Sequence, residues 1–225
     1  MGDSHIGALS KTLSTVLQAR GEAVAEWSCN GCRPSFQAAP REDPCWDWTQ
    51  KAARQIAGNP QLRNVLIMYS LVTWDQEEDA HRLDDIWESY AKLAEMFAAA
   101  GRKVFVVVEP PRLRARAEDL IFKERYFPAN IVGTSRREWE QHIAPDRLRF
   151  DQWPKDIVVV DPAPLLCDGD DCFAVKHGVM YYFDANHLTS HGAALVVDKI
   201  LQSLERGDVA SSITAGHAQD DSAPH

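Results

Sequence analysis

At 225 residues, 45% of them hydrophobic and 25% charged, the chain can bury the core of one domain and has the composition of an ordinary globular protein. A formal net charge of −9 and a pI of about 5.3 argue against nucleic acid or anionic lipid as the main partner. No stretch approaches the roughly 18 consecutive apolar residues of a membrane span, and no basic-then-apolar signal segment opens the sequence.

Met1-Gly2-Asp3-Ser4-His5 suits a tight strand-to-helix turn, with the Ser4 hydroxyl at a helix N-terminus where free N–H groups favour negative charge. Ile6, Leu9, Leu13, Val16 and Leu17 recur at helical spacing and predict a helix over 6–20 that stops at Gly21. Ala23 to Trp27 reads as a short strand, and the chain from Pro34 to Pro44 as a surface loop. Trp46, Trp48, Ala52, Ala53 and Ile56 predict a helix over 45–57, closed by Gly58-Asn59-Pro60. Val65 to Tyr69 is an apolar run of the kind buried on both faces of a sheet, followed by a polar loop from Ser70 to Asp79. A long helix carrying Ile86, Tyr90, Leu93, Ala94 and Phe97 ends before Gly101. Val104 to Val108 is a second buried strand, stopped by Glu109-Pro110-Pro111, and helices are expected over 114–125 and 135–149. Ile157 to Val160 is a third buried strand, leaving into a long loop over 161–188. The last helix is expected over 190–205, ending a single domain at 205; residues 206–225, rich in Ala, Ser, Asp and His, read as a disordered tail.

Strands and helices alternate, and the strands are short, β-branched and apolar. That pattern predicts an α/β fold: a short parallel sheet between helices in a three-layer αβα arrangement. Ligands bind such sheets at the carboxyl ends of the strands, where Ser4, the Asn30-Gly31 loop, the Ser70–Trp74 loop and the 161–188 loop all fall. A strand is expected just before Ser4, yet the sequence opens at the turn itself. This reads as a misassigned start or as a piece of a larger protein.

Nucleophilic serines need a base and a group to orient it. Asp184-Ala185-Asn186-His187 supplies both, with Asp184 able to reach back to the ring from a turn. The plainer reading of Ser4 is an N-cap. His191 with His187 and Asp184 would make an incomplete metal set, so it reads as a capping or solvent-facing residue. Neither a cofactor nor a metal is called for. The five cysteines, Cys29, Cys32, Cys45, Cys167 and Cys172, leave several options open. Cys29-x-x-Cys32 fits a redox pair or half a zinc site; two short-range disulfides, Cys32–Cys45 and Cys167–Cys172, are the alternative.

The G-D-S-H block at residues 2–5 and the D-x-x-H-L-T block at residues 184–189, followed by Gly192-Ala193, resemble the SGNH (GDSL-like) hydrolase family. The resemblance is nearest to the SGNH domains fused behind membrane acyltransferases of the acyltransferase-3 type. It rests further on the loop Gly31-Cys32-Arg33-Pro34, the segment Cys45-Trp46-Asp47-Trp48, the loop reaching Trp74 and the Cys167–Cys172 loop, and covers about residues 2–204. It departs at Tyr69 to Trp74, where the wider family has a G-x-N-D block and this chain has no asparagine.

The resemblance implies the flavodoxin-like SGNH fold, the two disulfides, a periplasmic or extracellular setting and a membrane acyltransferase domain upstream. It also implies a serine acyl-ester enzyme, hydrolase or O-acyltransferase, on an acylated cell-envelope glycan such as lipopolysaccharide, exopolysaccharide or peptidoglycan. Ser4 is then the nucleophile, His187 the base and Asp184 its orienting carboxylate. The Ser4 N–H and either the Gly31 N–H or the Asn30 amide are the expected oxyanion donors, and Trp74 a cleft-lining residue. A catalytically inert carbohydrate-binding or interaction module on the same fold is the second reading.

Overall fold

The two longest apolar runs become neighbouring strands of a parallel sheet, because side chains that are hydrophobic on both faces need a layer of helices on each. In this computed structural model residues 1–36, 44–70, 80–124 and 128–216 are described. The chain opens with helix α1 (Ser4–Gln18), then α2 (Pro44–Gly58), strand β1 (Asn64–Met68), α3 (Ala80–Ala99) and β2 (Lys103–Val107). It continues with α4 (Ala117–Phe122), β3 (Ile131–Ser135), α5 (Arg136–Phe150), β4 (Val158–Val160) and α6 (Ala163–Leu166). The last elements are β5 (Cys167–Asp168), β6 (Asp171–Lys176), β7 (Val179–Met180) and α7 (Ser190–Gly216).

β1, β2 and β4 form the parallel sheet in that order, with Val65 beside Val104, Met68 beside Val107 and Phe105 beside Val158. Side chains alternate between faces. Val65, Ile67, Val104 and Val106 pack against Ala53, Ile56, Tyr90, Leu93, Phe97, Ile143 and Phe150, from α2, α3 and α5. Met68, Phe105, Val107 and Val160 pack against Ile6, Leu9 and Leu13 of α1 and Val196, Val197 and Ile200 of α7. These are the three layers of the expected fold.

The strand expected ahead of Ser4 is represented by three residues. Gly2 forms parallel bridges to Ser28 on one side and Met68 on the other. Met68 N donates to Met1 O at 3.1 Å and Asp3 N to Met68 O at 3.3 Å, while Gly2 N donates to Trp27 O at 3.1 Å. Met1–Asp3 therefore lies between β1 and the Trp27–Cys29 segment, and the short strand expected over Ala23–Trp27 is reduced to that bridge. Gly2 has to be glycine: a Cβ there would lie 1.8 Å from the Met68 carbonyl oxygen.

Several elements differ from the sequence-based expectation. β4 is the edge of the sheet rather than a buried member, and Val159 is 39% exposed. The 161–188 segment, expected as loop, contributes β5, β6 and β7 to a second, antiparallel sheet ordered β3-β6-β5, with β7 also paired to β6. Its hairpins are short. His177 and Gly178 both have positive φ (52° and 76°), as a two-residue turn between β6 and β7 requires. α4 is shorter than expected at its start, and the Leu113 and Arg114 N–H groups ahead of it donate to Ala185 O and Gly133 O. α5 is begun by Ser135, whose hydroxyl accepts from Glu138 N. α7 runs past Gly207 to Gly216, and residues 217–225 of the expected tail lie outside the described residues. Among the described residues no helix is long and apolar enough to cross a membrane.

Two disulfides, Cys32–Cys45 and Cys167–Cys172, staple the loop before α2 and the β5–β6 hairpin. The first spans 13 positions, and closing a loop of that size removes about 3 kcal/mol of unfolded-state entropy. A Cys32→Ser/Cys45→Ser variant should therefore melt about 6–12 °C below the wild type in a thermal scan. An unchanged Tm would mean that this loop closure adds nothing to stability.

Candidate active site

The first turn of α1 is capped by Asp3, not by Ser4: Asp3 Oδ1 accepts from His5 N at 2.9 Å. Because the neighbouring carboxylate does the capping, the Ser4 hydroxyl at the first helical position is left to bond elsewhere. Its partner is 183 positions away, where Ser4 Oγ donates to Nε2 of His187 at 2.8 Å.

The turn carrying His187 is organised by Asp184. One carboxylate oxygen accepts from the backbone N–H groups of Asn186 (2.9 Å) and His187 (2.8 Å). The other accepts from Nδ1 of the same His187 ring at 2.8 Å. A carboxylate can only accept, so in the neutral ring the proton sits on Nδ1 and Nε2 is the acceptor facing Ser4. Burial pushes the Asp184 carboxyl up, but the two backbone donors and the His187 ring outweigh it and hold the group below its ordinary value.

This turn is tied to the fold at both ends. Leu113 N donates to Ala185 O (2.8 Å), Ala117 N to Asp184 O (3.2 Å) and Phe183 N to His187 O (2.8 Å). Thr189 Oγ1 bonds Met180 O at 2.7 Å, and Gly192 opens α7 so close to Tyr181 that a Cβ would lie 2.3 Å from its carbonyl oxygen. That contact gives the Thr189 and Gly192 positions of the block a structural reason.

The family model of the SGNH domain (fused to AT3 domains) matches residues 1–202. The chain belongs to this family. The SGNH domain is also similar to the periplasmic domain of a lipopolysaccharide acetyltransferase from Salmonella ser. Paratyphi A. That match has a TM-score of 0.67 and 18% identity, covering 90% of this chain and 81% of the other. A second match, to a GDSL-like lipase from Bacteroides thetaiotaomicron, has a TM-score of 0.54 and 15% identity, covering 92% of this chain and 86% of that one. At such identities the likeness is one of fold. No curated protein matches the chain.

The other residues singled out from the SGNH sequence fall as follows. Asn30 and Gly31 are exposed at a turn directly after the Gly2–Ser28 bridge, held by Cys29 N to Gly2 O and Cys32 N to Cys29 O, both 3.0 Å. Gly31 has a φ of 73°, a left-handed conformation that suits glycine. The turn therefore follows the segment paired directly with the short strand end that carries Ser4. Trp74 lies outside the described residues. His191 is exposed at the start of α7. Cys29 is a free thiol 2.8 Å from Cys32 Sγ, and burial raises it above its ordinary value. Among the described residues no group of three or more His, Cys, Asp or Glu could hold a metal ion.

Three residues behind the serine carry no individual role in the sequence-based expectation. His5 is only 6% exposed, Glu109 after β2 is buried, and Ser70 after β1 joins them. Ser70 N donates to Asp3 Oδ2 at 2.7 Å and Ser70 Oγ to Glu109 Oε1 at 2.9 Å. The available signal was a polar residue at the carboxyl end of each central apolar run, the place where an open α/β sheet collects functional groups.

Proposed function

We propose that this SGNH domain is a serine-dependent acyl-ester enzyme that removes or transfers an O-acyl group, acetyl in the first instance, on a cell-envelope glycan. The observation carrying the reading is the continuous hydrogen-bonded chain Ser4–His187–Asp184, at 2.8 Å in each link. In the mechanism it supports, His187 Nε2 takes the Ser4 proton as Oγ attacks the ester carbonyl, and Asp184 stabilises the imidazolium. The imidazolium then protonates the leaving group, the sugar oxygen of an O-acylated glycan or the carrier atom of another acyl donor, leaving an acyl group on Ser4. Water or a second sugar hydroxyl, deprotonated by the same His187, takes that acyl group and frees the serine.

The oxyanion formed in both halves is assigned to the Ser4 N–H, at the positive end of α1, and to the Gly31 N–H or Asn30 amide. Trp74 is the residue we assign to the sugar-facing wall. Support for the glycan and for the outer side of the membrane comes from the name of the Salmonella neighbour and from the family's fusion to AT3 domains. The two disulfides suit an oxidising compartment. Lipopolysaccharide, exopolysaccharide and peptidoglycan are the candidate glycans, with a membrane acyltransferase domain the candidate donor of the acyl group.

Labelling with a fluorophosphonate tests the nucleophile: the adduct is expected on the peptide ending at Lys11, at Ser4, and absent from Ser4→Ala. Acetate released from an O-acetylated glycan, against acetyl appearing on an added acceptor glycan, separates hydrolysis from transfer. An unlabelled Ser4, with equal ester turnover in wild type and Ser4→Ala, would leave a glycan-binding module without serine chemistry.

A further inference from the structure

His5 packs directly against the Ser4–His187 pair and has no part in the mechanism above. Its ring lies flat on that of His187, with centroids 4.3 Å apart and planes inclined by 18°. Nδ1 of His5 donates to Asp3 Oδ1 at 3.1 Å, and its backbone N–H donates to the same oxygen at 2.9 Å. Asp3 is in turn gripped by Ser70 N, and Ser70 by Glu109. The His187 ring therefore has two restraints from different elements: Asp184 fixes it in its own plane from the edge, and His5 covers one face.

We propose that His5 is a positioning residue for the base: anchored by Asp3, its ring backs the face of His187 and keeps Nε2 directed at Ser4 Oγ. The idea rests on the serine reading above. A histidine serves here better than an aliphatic residue for two reasons. Its planar ring matches the imidazole face, and its Nδ1 ties that ring to the N-cap of the helix bearing the nucleophile. Base and nucleophile are thus referenced to the same three residues of backbone, Asp3 to His5. An angular error of the base relative to Ser4 would otherwise cost rate steeply, since displacements of about 1 Å can cost about 10²-fold.

The charge environment strengthens the anchor. The groups facing His5 are Asp3 at the helix cap, Glu109 after β2, and Asp184 with His187 on the turn before α7. Burial pulls the His5 imidazole down, but the Asp3 hydrogen bond and the charges of Asp3, Glu109 and Asp184 outweigh it and hold it above its ordinary value. Replacing His5 by glutamine or by phenylalanine removes this charge interaction alike, and the two differ in the ring, so a kcat that follows the ring isolates the stacking.

Two variants divide the contributions. His5→Gln keeps a donor for Asp3 but loses ring and charge; His5→Phe keeps the stacked ring but loses donor and charge. We expect His5→Gln to lose about tenfold in kcat with KM within about twofold, and His5→Phe to lose less, about threefold. Thermal melting of both variants is read alongside: a loss of fold alone would rank kcat by Tm, whereas positioning ranks His5→Phe above His5→Gln whatever their Tm. Wild-type kcat in both variants, or a kcat that follows Tm instead of the ring, would overturn the positioning role. If fluorophosphonate fails to label Ser4 in the wild type, the serine reading falls instead; labelled wild type with indifferent His5 variants sinks only this inference.

Discussion

Asp184→Asn is expected to lower kcat about 10⁴-fold, the loss seen when a triad carboxylate becomes an amide. The reason is the tautomer. Asp184 Oδ2 accepts from His187 Nδ1 at 2.8 Å and so leaves Nε2 free to accept from Ser4. An asparagine can turn its NH₂ towards Nδ1, which must then be the acceptor, and the ring proton moves to Nε2. Nε2 with a proton cannot take one from Ser4 Oγ. The same substitution spares the turn, because the asparagine carbonyl can still accept from Asn186 N and His187 N as Asp184 Oδ1 does. Fold and KM should accordingly stay near those of the wild type while kcat falls by the equivalent of about 5.5 kcal/mol. p-Nitrophenyl acetate turnover by Asp184→Asn, read against Ser4→Ala as the floor, is the measurement. Turnover within tenfold of wild type would remove Asp184 from the role assigned to it.

The sequence makes some of this legible and hides the rest for definite reasons. Val65 to Tyr69 and Val104 to Val108 declare themselves as central strands because burial on both faces demands unbroken apolar runs. The Asp184–His187 unit is equally local, since an i, i+3 pair closes within one turn. What depends on contacts far apart in the chain stays hidden. Ile157 to Val160 has the same composition as a central strand, yet β4 is an edge, and no local pattern distinguishes strand order. β5 and β7 have two residues each, too short to show a period, although the His177-Gly178 turn between β6 and β7 marks a hairpin. At Ser4 the cap reading falls because Asp3, one residue earlier, takes the capping role. His5 meets His187 only when two ends of the chain come together, so its stacking leaves no trace in spacing.

Gly2→Ala should be the most damaging substitution outside the proposed triad. A Cβ at this position would lie 1.8 Å from Met68 O, 2.9 Å from Met68 C and 3.2 Å from Ile6 Cβ. The first two are backbone atoms of β1, which cannot swing aside as the end of a side chain would. Relief requires Met1–Asp3 to move off β1, which breaks the Gly2–Met68 bridge and the Asp3 N to Met68 O bond. Overpacking of this kind costs about 3 kcal/mol, which for a chain of this size lowers Tm by about 6–12 °C. Ser4 follows two residues later and shifts with the strand end, so a displacement of about 1 Å from His187 adds about a 10²-fold loss of kcat in the protein that remains folded. Gly7→Ala is the matched control. It lies inside α1, and its nearest neighbour would be Glu26 Oε1 at 3.9 Å. There the better helix propensity of alanine should stabilise by up to about 1 kcal/mol and leave turnover unchanged. Thermal melting and ester turnover of the two variants side by side test the arrangement, and a Gly2→Ala protein as stable and active as Gly7→Ala would contradict the pairing of Gly2 with Met68. The G-D-S-H glycine is on this account a strand residue, required because the backbone that aims Ser4 passes too close to β1 for any side chain.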